Sequence, residues 1–518
     1  MAGELLGPIS CGSAAEPHAS GPAHHFSVQS FGAKGDGQAD DTAALNACVA
    51  AAGVEGGIVD FAPGTYRLRR RPNGGQGPAI ALHSGVSIDG HGCTLLLDDN
   101  CSYIGTVIDQ TARAHIDCDA AAGDNTIHVD STEAFRAGDP VGLRLGDNAW
   151  DAHETRLMFF TSVRAVVDPN HLRLADDLPQ SLDVQNTKSQ NRALLRFRPA
   201  DNPIYCDAFI RNLVLQRTPA PRGNPEAGID LRYARDVGID NITATDPGNG
   251  VVKLAYCRRI TVRHVSCDRS IAINGHSAKG RVLNVWNSSD CVFDDFEAHA
   301  FAGPVAFIES YCSNLRCTNW RIVNDWSQQM GSPRPFKVLL MIVQGSEAVF
   351  EHLNISGDGS GEMITDSGGA PAKIAIRGIS IAVSGKFKGF NVGQVSTGPI
   401  NLNGHAFGPL QERVIQVELQ AGQRYGKPLN LRPFGLCHRV MVKAQGLRLK
   451  QHFNINGRAV DLTLENPSTE VWMLAKMGAI YPGNPSESGS LTFDTSALTE
   501  KLSVAITLNY FPELAATE

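Results

Sequence analysis

The chain is constrained most by a short pattern that returns every twenty-odd residues between about 204 and 386. Its copies begin at Ile210-Arg211-Asn212-Leu213, Ile239-Asp240-Asn241-Ile242, Val262-Arg263-His264-Val265, Phe293-Asp294-Asp295-Phe296, Cys317-Thr318-Asn319-Trp320, Phe350-Glu351-His352-Leu353 and Ile376-Arg377-Gly378-Ile379. Each reads as the end of one strand, a two-residue corner, and a second strand of alternating character. The second corner residue is Asn, Asn, His, Asp, Asn, His and Gly in turn. These types tolerate the left-handed backbone that so tight a bend requires. Corners in register imply stacked coils.

A repeat of this size marks a solenoid, because one turn cannot bury its apolar face without a neighbour. Short strands without amphipathic helices between them make it a β-helix. Val237, Ile260, Cys291 and Leu315 are expected to form one inward column, and Ile239, Val262, Phe293 and Cys317 the next. A third strand precedes the other two in each coil, at Ile229-Asp230-Leu231, Val252-Lys253-Leu254 and Leu283-Asn284-Val285, with Phe307-Ile308-Glu309 in a looser register.

At 518 residues the chain exceeds one compact domain, whereas a solenoid core grows linearly with length. The 46 basic against 53 acidic residues leave no basic footprint for nucleic acid. Most of the twelve cysteines fit as reduced core residues, since Cys267, Cys291 and Cys317 fall in inward columns. Residues 1–25 carry neither a cationic leader nor a sustained apolar run, so they read as a flexible attachment peptide and not as a signal peptide. No apolar stretch approaches the length of a membrane span, so no membrane insertion is expected.

Phe26 to Phe31 reads as a strand, and Asp40-Asp41-Thr42 opens a helix whose apolar face is Ala44, Leu45, Cys48, Val49 and Ala52, ending at Gly53. Such a helix would plug the open first coil. Phe31-Gly32-Ala33-Lys34-Gly35-Asp36-Gly37, with Asp40-Asp41-Thr42 and Phe61-Ala62-Pro63-Gly64-Thr65-Tyr66, resembles the opening of the pectate-lyase-like right-handed parallel β-helix superfamily. Its members include polygalacturonases, polysaccharide lyases, mannuronan epimerases and bacteriophage tailspikes. The resemblance spans roughly 26–390 once the coil repeats are counted, and it implies a fold. It assigns no catalytic group, since Asp36, Asp40 and Asp41 are turn and cap residues and His91 of Gly90-His91-Gly92 is a turn residue.

The coil pattern lapses between about 111 and 200, where short strands joined by Gly and Asp turns suggest an inserted β-module. Trp150 there is a candidate sugar-binding residue. In the main helix the long connections 218–227, 268–281 and 324–337 would wall a groove over the third-strand face. The outward residues Asp230, Lys253, Asn284 and Glu309, with Asp246, Asp268, Arg281 and Asp325 at the loop bases, are the candidate site. Carboxylates one or two coils apart would span the separations glycosidases use, one as acid and one as base or nucleophile. Asn284 and Asp325 are assigned to substrate binding, and Asp230, Glu309, Asp268 and Asp246 to catalysis. In a lyase, Lys253 or Arg281 would abstract the proton, with calcium as a possible aid. Otherwise no cofactor is expected, since no metal-binding motif is evident.

After about 390 ordinary alternating strands suggest a C-terminal β-sandwich-like domain for trimerisation or carbohydrate binding. The chain is thus expected to be all-β: a capping helix and first coils over 26–110, an inserted module over 111–200, a right-handed parallel β-helix over 201–390, and a β-domain over 391–518. This order is most similar to a bacteriophage tailspike. It implies a homotrimer in the virion tail, attached to a tail or baseplate protein through the N-terminal peptide, that binds and depolymerises a bacterial surface polysaccharide. Hydrolysis is favoured over β-elimination. A free bacterial enzyme of the same fold and a non-catalytic receptor-binding fibre are the rival readings.

Overall fold

The computed structural model describes residues 24–70, 77–107, 111–145, 157–178, 181–182, 184, 192–197, 205–218, 226–270, 280–309, 312–325, 328–329, 338–342, 346–357, 361–365, 373–383, 387–391, 394–397, 400–402, 405–408, 411–423, 429–430, 436–445, 447, 449–455, 458–464, 466–472, 490–491, 493–512 and 514. Each coil contributes a long strand bent at the Asn column and a shorter third strand. The bent strands Cys206–Arg217, Arg235–Thr245, Arg258–Arg269, Val292–His299, Leu315–Asn324, Glu347–Gly357 and Lys373–Val383 pair in parallel, each with the next. The third strands form a second parallel sheet, among them Ile229–Arg232, Asn249–Ala255, Arg281–Trp286 and Ala306–Glu309. These two ladders make a parallel β-helix.

The inward columns lie where the repeat put them. Val237 pairs with Ile260, Ile239 with Val262, Val262 with Phe293 and Phe293 with Cys317, all buried. One segment of the core is aromatic: Phe296 stacks on Trp320 at 4.9 Å, and Trp320 meets the edge of Phe350 at 6.0 Å. The Trp320 indole nitrogen donates to the Phe293 carbonyl at 3.1 Å, so its burial leaves no polar atom unpaired. Ten cysteines are free, and of these all but Cys118 and Cys206 are buried. Burial pushes the Cys48, Cys93 and Cys312 thiols up to about 12, which makes them inert packing groups.

The second corner residue of every copy is left-handed: φ is 58° at Asn212, 54° at Asn241, 51° at His264, 57° at Asp295, 58° at Asn319, 56° at His352 and 64° at Gly378. His91, at φ 47°, is the same corner one coil earlier. The column is also a polar ladder, because Asn241 Nδ2 donates to Asn212 Oδ1 and Asn212 Nδ2 to Asp89 Oδ1, each at 2.8 Å. Asn241→Ala loses both the backbone tolerance and this bond, and should destabilise the protein by about 1–3 kcal/mol. Asn241→Gly should cost less than the alanine variant; equal denaturation midpoints for the two would refute the backbone argument.

The helix Thr42–Glu55 covers the first coil with Leu45, Cys48, Val49 and Ala52 buried. It runs past Gly53 and stops at Gly56, φ 74°. Gly53 is small because His83 packs against it, where an added Cβ would meet the His83 side chain at 2.9 Å. Asp41 does not cap this helix with its side chain; it accepts from the backbone of Lys34 at 2.6 Å and Gly35 at 3.1 Å, which fixes the glycine turn. Asp36 accepts from Gln38 and Ala39 at 2.8 Å, and Asp40 from Thr42 at 3.1 Å.

Six antiparallel strands between Ala112 and Arg196 form a module with its own core, including Ile127, Leu143, Val163 and Leu172. It seats on the β-helix through Phe197, stacked on Tyr233 at 3.7 Å, and through Arg258, paired with Asp176 at 2.8 Å. At the far end the parallel ladder continues to Ile400–Leu402, beyond the expected end of the repeat. Three antiparallel sheets follow among the described residues, of four, two and three strands, around a shared core with Val442, Phe453, Val460 and Ile506. Among the described residues no helix is long and apolar enough to cross a membrane.

Candidate active site

Alternation along the third strands sends Ile229, Leu231, Val252 and Leu254 inward and Asp230, Arg232 and Lys253 outward. Register then stacks the outward side chains in rows. One row runs Asp230, Lys253, Asn284, Phe307; the next includes Trp286 and Glu309 as direct neighbours. Glu309 therefore faces outward as expected but sits one row further on, and Phe307 takes the place beside Asn284.

These side chains form a connected polar surface that is mostly shielded from water. Asp230, Lys253 and Arg281 are 6%, 6% and 8% exposed, and Asn284 is fully buried. Arg232 grips Asp230 with two bonds, of 3.0 and 2.8 Å. Lys253 Nζ lies 3.4 Å from Asp230 Oδ2 and 3.3 Å from Glu226 Oε2, and 5.5 Å from the centre of the Trp286 ring. The Trp286 indole donates to Asn284 Oδ1 at 2.7 Å, and Asn284 donates to Asn249 at 3.4 Å. Arg281 lays its guanidinium on Phe307 at 3.8 Å.

The carboxyl groups of this face are in opposite states. Burial works to raise Asp230, but Lys253 and Arg232 outweigh it and hold the group below the usual carboxylate range. Glu309 is half-buried, and no hydrogen-bond partner for its carboxyl is found among the described residues. Burial pushes it up to about 7, against the weaker pull of Arg281 and Lys253. Burial also brings Arg281 down to about 10, with Glu309 opposing. Glu309 thus keeps its proton to near neutrality, as a general acid must, while Asp230, three strands away on the same face, stays ionised.

Asp246, Asp268 and Asp325 lie elsewhere, where the bent strands end. Asp246 is paired with Arg269 at 2.9 Å. Asp325 accepts from the Ala300 backbone at 3.0 Å and contacts His299 Nδ1 at 3.2 Å, while His299 Nε2 meets Glu297 at 3.1 Å. Asp268 is exposed. Asp246 and Asp325 hold chain bends, and among the contacts of the described residues none links the three to Lys253. Trp150 lies outside the described residues.

Sequence reasoning missed Glu226, Arg232, Trp286 and Phe307. Arg232 and Trp286 stand two residues after Asp230 and Asn284, so one further step of the same alternation reaches them. Calcium would find little here, because Asp230 and Glu226 already hold cationic side chains.

The paired ladders and bent corners define the architectural class. A family model described as rhamnogalacturonase A/epimerase, pectate lyase-like, matches residues 25–94, so the capped opening of the chain is similar to that of the pectate-lyase-like β-helix proteins. Among solved structures the chain is similar to the tailspike protein gp49 of Pseudomonas phage LKA1, at 14% identity over 94% of this chain and 100% of that one, with TM-score 0.34. The Gp54 tailspike of Acinetobacter baumannii bacteriophage AP22, in complex with capsular saccharide, gives 11%, 94%, 96% and 0.35. An iota-carrageenase complexed to iota-carrageenan fragments gives 10%, 68%, 58% and 0.34. At these scores the fold rests on the ladders themselves. No curated protein matches the chain.

Proposed function

We propose that the protein is a tailspike-type depolymerase that binds a bacterial surface polysaccharide across the third-strand sheet and hydrolyses it with Glu309 as general acid. The observation that carries this reading is the Glu309 carboxyl, without a hydrogen-bond partner among the described residues and raised to about 7, on the same outward face as ionised Asp230 and the Trp286 ring. Tryptophan and phenylalanine offer apolar faces to sugar rings, and Asn284 and Arg281 offer donors to hydroxyl or carboxylate groups. Asp230 and Glu309 are three strands and two residues apart, about 16 Å between backbones at the usual ~4.8 Å spacing and ~3.3 Å rise. Even with both side chains reaching toward each other the carboxyl groups stay about 10 Å apart, beyond the roughly 6.5–9.5 Å of inverting enzymes and the ~5–5.5 Å of double displacement, so the two are not a catalytic pair within one chain. Glu309 protonates the leaving oxygen as water adds to the sugar carbon, and Asp230 stays ionised as the anchor that holds Arg232 and Lys253 on this face.

Lys253 fits poorly as a lyase base, because its amine is committed to two carboxylates. The tail location, the attachment role of residues 1–25 and a homotrimer belong to the same proposal. Four exposed apolar side chains of the C-terminal domain, Val414, Leu449, Leu464 and Leu514, are in keeping with a subunit contact there.

The test is incubation of the purified protein with bacterial capsules, O-antigens and uronate polymers, following reducing ends and ultraviolet absorbance together. Reducing ends without absorbance, from a particle of three times the chain mass by sedimentation, is the expected result. Absorbance rising with cleavage would replace hydrolysis by elimination. Tight binding without cleavage would leave an adhesive fibre.

A further inference from the structure

A second cluster lies on the inserted module, away from the polysaccharide face. The bridge between Ile116 and Val129 sets Asp117 and Cys118 beside the strand Thr126–His128. One donor atom each from Asp117, Cys118 and His128 falls within 4.8 Å of the others. His171 is the cross-strand partner of His128, and the two rings meet edge to face with centroids 4.8 Å apart. Asp168 accepts from the His171 backbone at 2.8 Å and meets its Nδ1 at 2.9 Å, so that ring is fixed in turn. On the other side of the turn, Asp119 Oδ1 accepts from the Val184 backbone at 2.6 Å.

We propose that Asp117, Cys118 and His128 form a binding site for a divalent cation of the zinc class, with His171 as the residue that positions His128. The donor set is one thiolate, one imidazole and one carboxylate, the mixture that zinc accepts and that calcium and magnesium do not favour. Tetrahedral zinc, with bonds of about 2.0–2.3 Å, places its ligand atoms about 3.3–3.8 Å apart. The Asp117 carboxylate already contacts His128 Nδ1, so these two need only part slightly while the Cys118 thiol, within 4.8 Å of both, moves in, with water in the fourth position. The thiol proton leaves to solvent as the metal–sulfur bond forms. Since Asp117 and Cys118 come from a bend and His128 from the strand that follows, the bound ion would staple one end of the module.

The experiment uses the full chain, cleared of metal by a chelator and titrated with cobalt(II) alone. One equivalent should bind with a sulfur-to-cobalt charge-transfer band, and zinc should displace it. Cys118→Ser should abolish the band, His128→Ala should weaken binding at least about 100-fold, and His171→Ala about 10-fold. Circular dichroism and the thermal midpoint without metal should be unchanged in all three. The same band in Cys118→Ser, or saturable cobalt binding with no thiolate band in the parent protein, would overturn the site.

Discussion

Glu309→Gln lowers kcat on the cleaved polymer by about 10²–10⁴-fold and leaves KM nearly unchanged. General acid catalysis contributes about that much, and glutamine keeps the size and polarity of the side chain while losing the proton. In the parent protein kcat/KM falls as pH rises through about 7, where the acid ionises. That limb disappears in the variant. The same carboxyl bears on stability with a definite sign. Its folded value lies above the unfolded value of 4.5, so the native state binds the extra proton. The favourable contribution is complete below about 4.5 and is lost as pH rises toward about 7. Above pH ~7 the parent carries a buried charge that Glu309→Gln does not, so the inactive variant is more stable there by on the order of 2 kcal/mol. Pairing pH–rate profiles with denaturation midpoints checks both halves. A variant that keeps full activity removes Glu309 as the acid.

Asp230→Asn destabilises the folded protein by about 3–5 kcal/mol near neutral pH. Asp230 is the anion that Lys253 and Arg232 share, and both it and Lys253 are 7% exposed by side chain. Asparagine leaves two cations side by side without the charge that brought them together. Because the folded value of Asp230 is depressed, its contribution is present above about 3.9 and lost as pH falls through the lower folded value. The penalty of the variant therefore shrinks in acid. Adding Lys253→Met to Asp230→Asn removes the stranded ammonium and should recover part of the loss, a coupling read from a double-mutant cycle in denaturant. A single-variant loss below about 1 kcal/mol would mean that solvent screens the network.

The β-helix was legible because each coil demands one left-handed corner and alternating inward side chains. Asn212, Asn241, His264 and Asn319 announced the first, and columns such as Ile239, Val262 and Phe293 the second. Ala306–Glu309 was harder to register, because period-two alternation alone leaves a strand free to slip by two. Gly53 looked like a helix stop because the sequence does not show His83 packing over it. The face of the site was readable from alternation. Its chemistry was not, since the opposite states of Asp230 and Glu309 depend on burial and on Arg232 and Lys253 closing around one carboxylate and not the other. Asp246 and Asp325 looked equivalent to these carboxylates in the sequence and are spent on Arg269 and on the Ala300 backbone.

The most direct test of the site is a crystal structure of Glu309→Gln with oligosaccharide released by the parent protein. The account predicts a sugar ring against Trp286 or Phe307 and the scissile oxygen within hydrogen-bonding reach of residue 309. Sugar bound only on the inserted module, or across the Asp246 and Asp325 edge with the third-strand sheet bare, would contradict it.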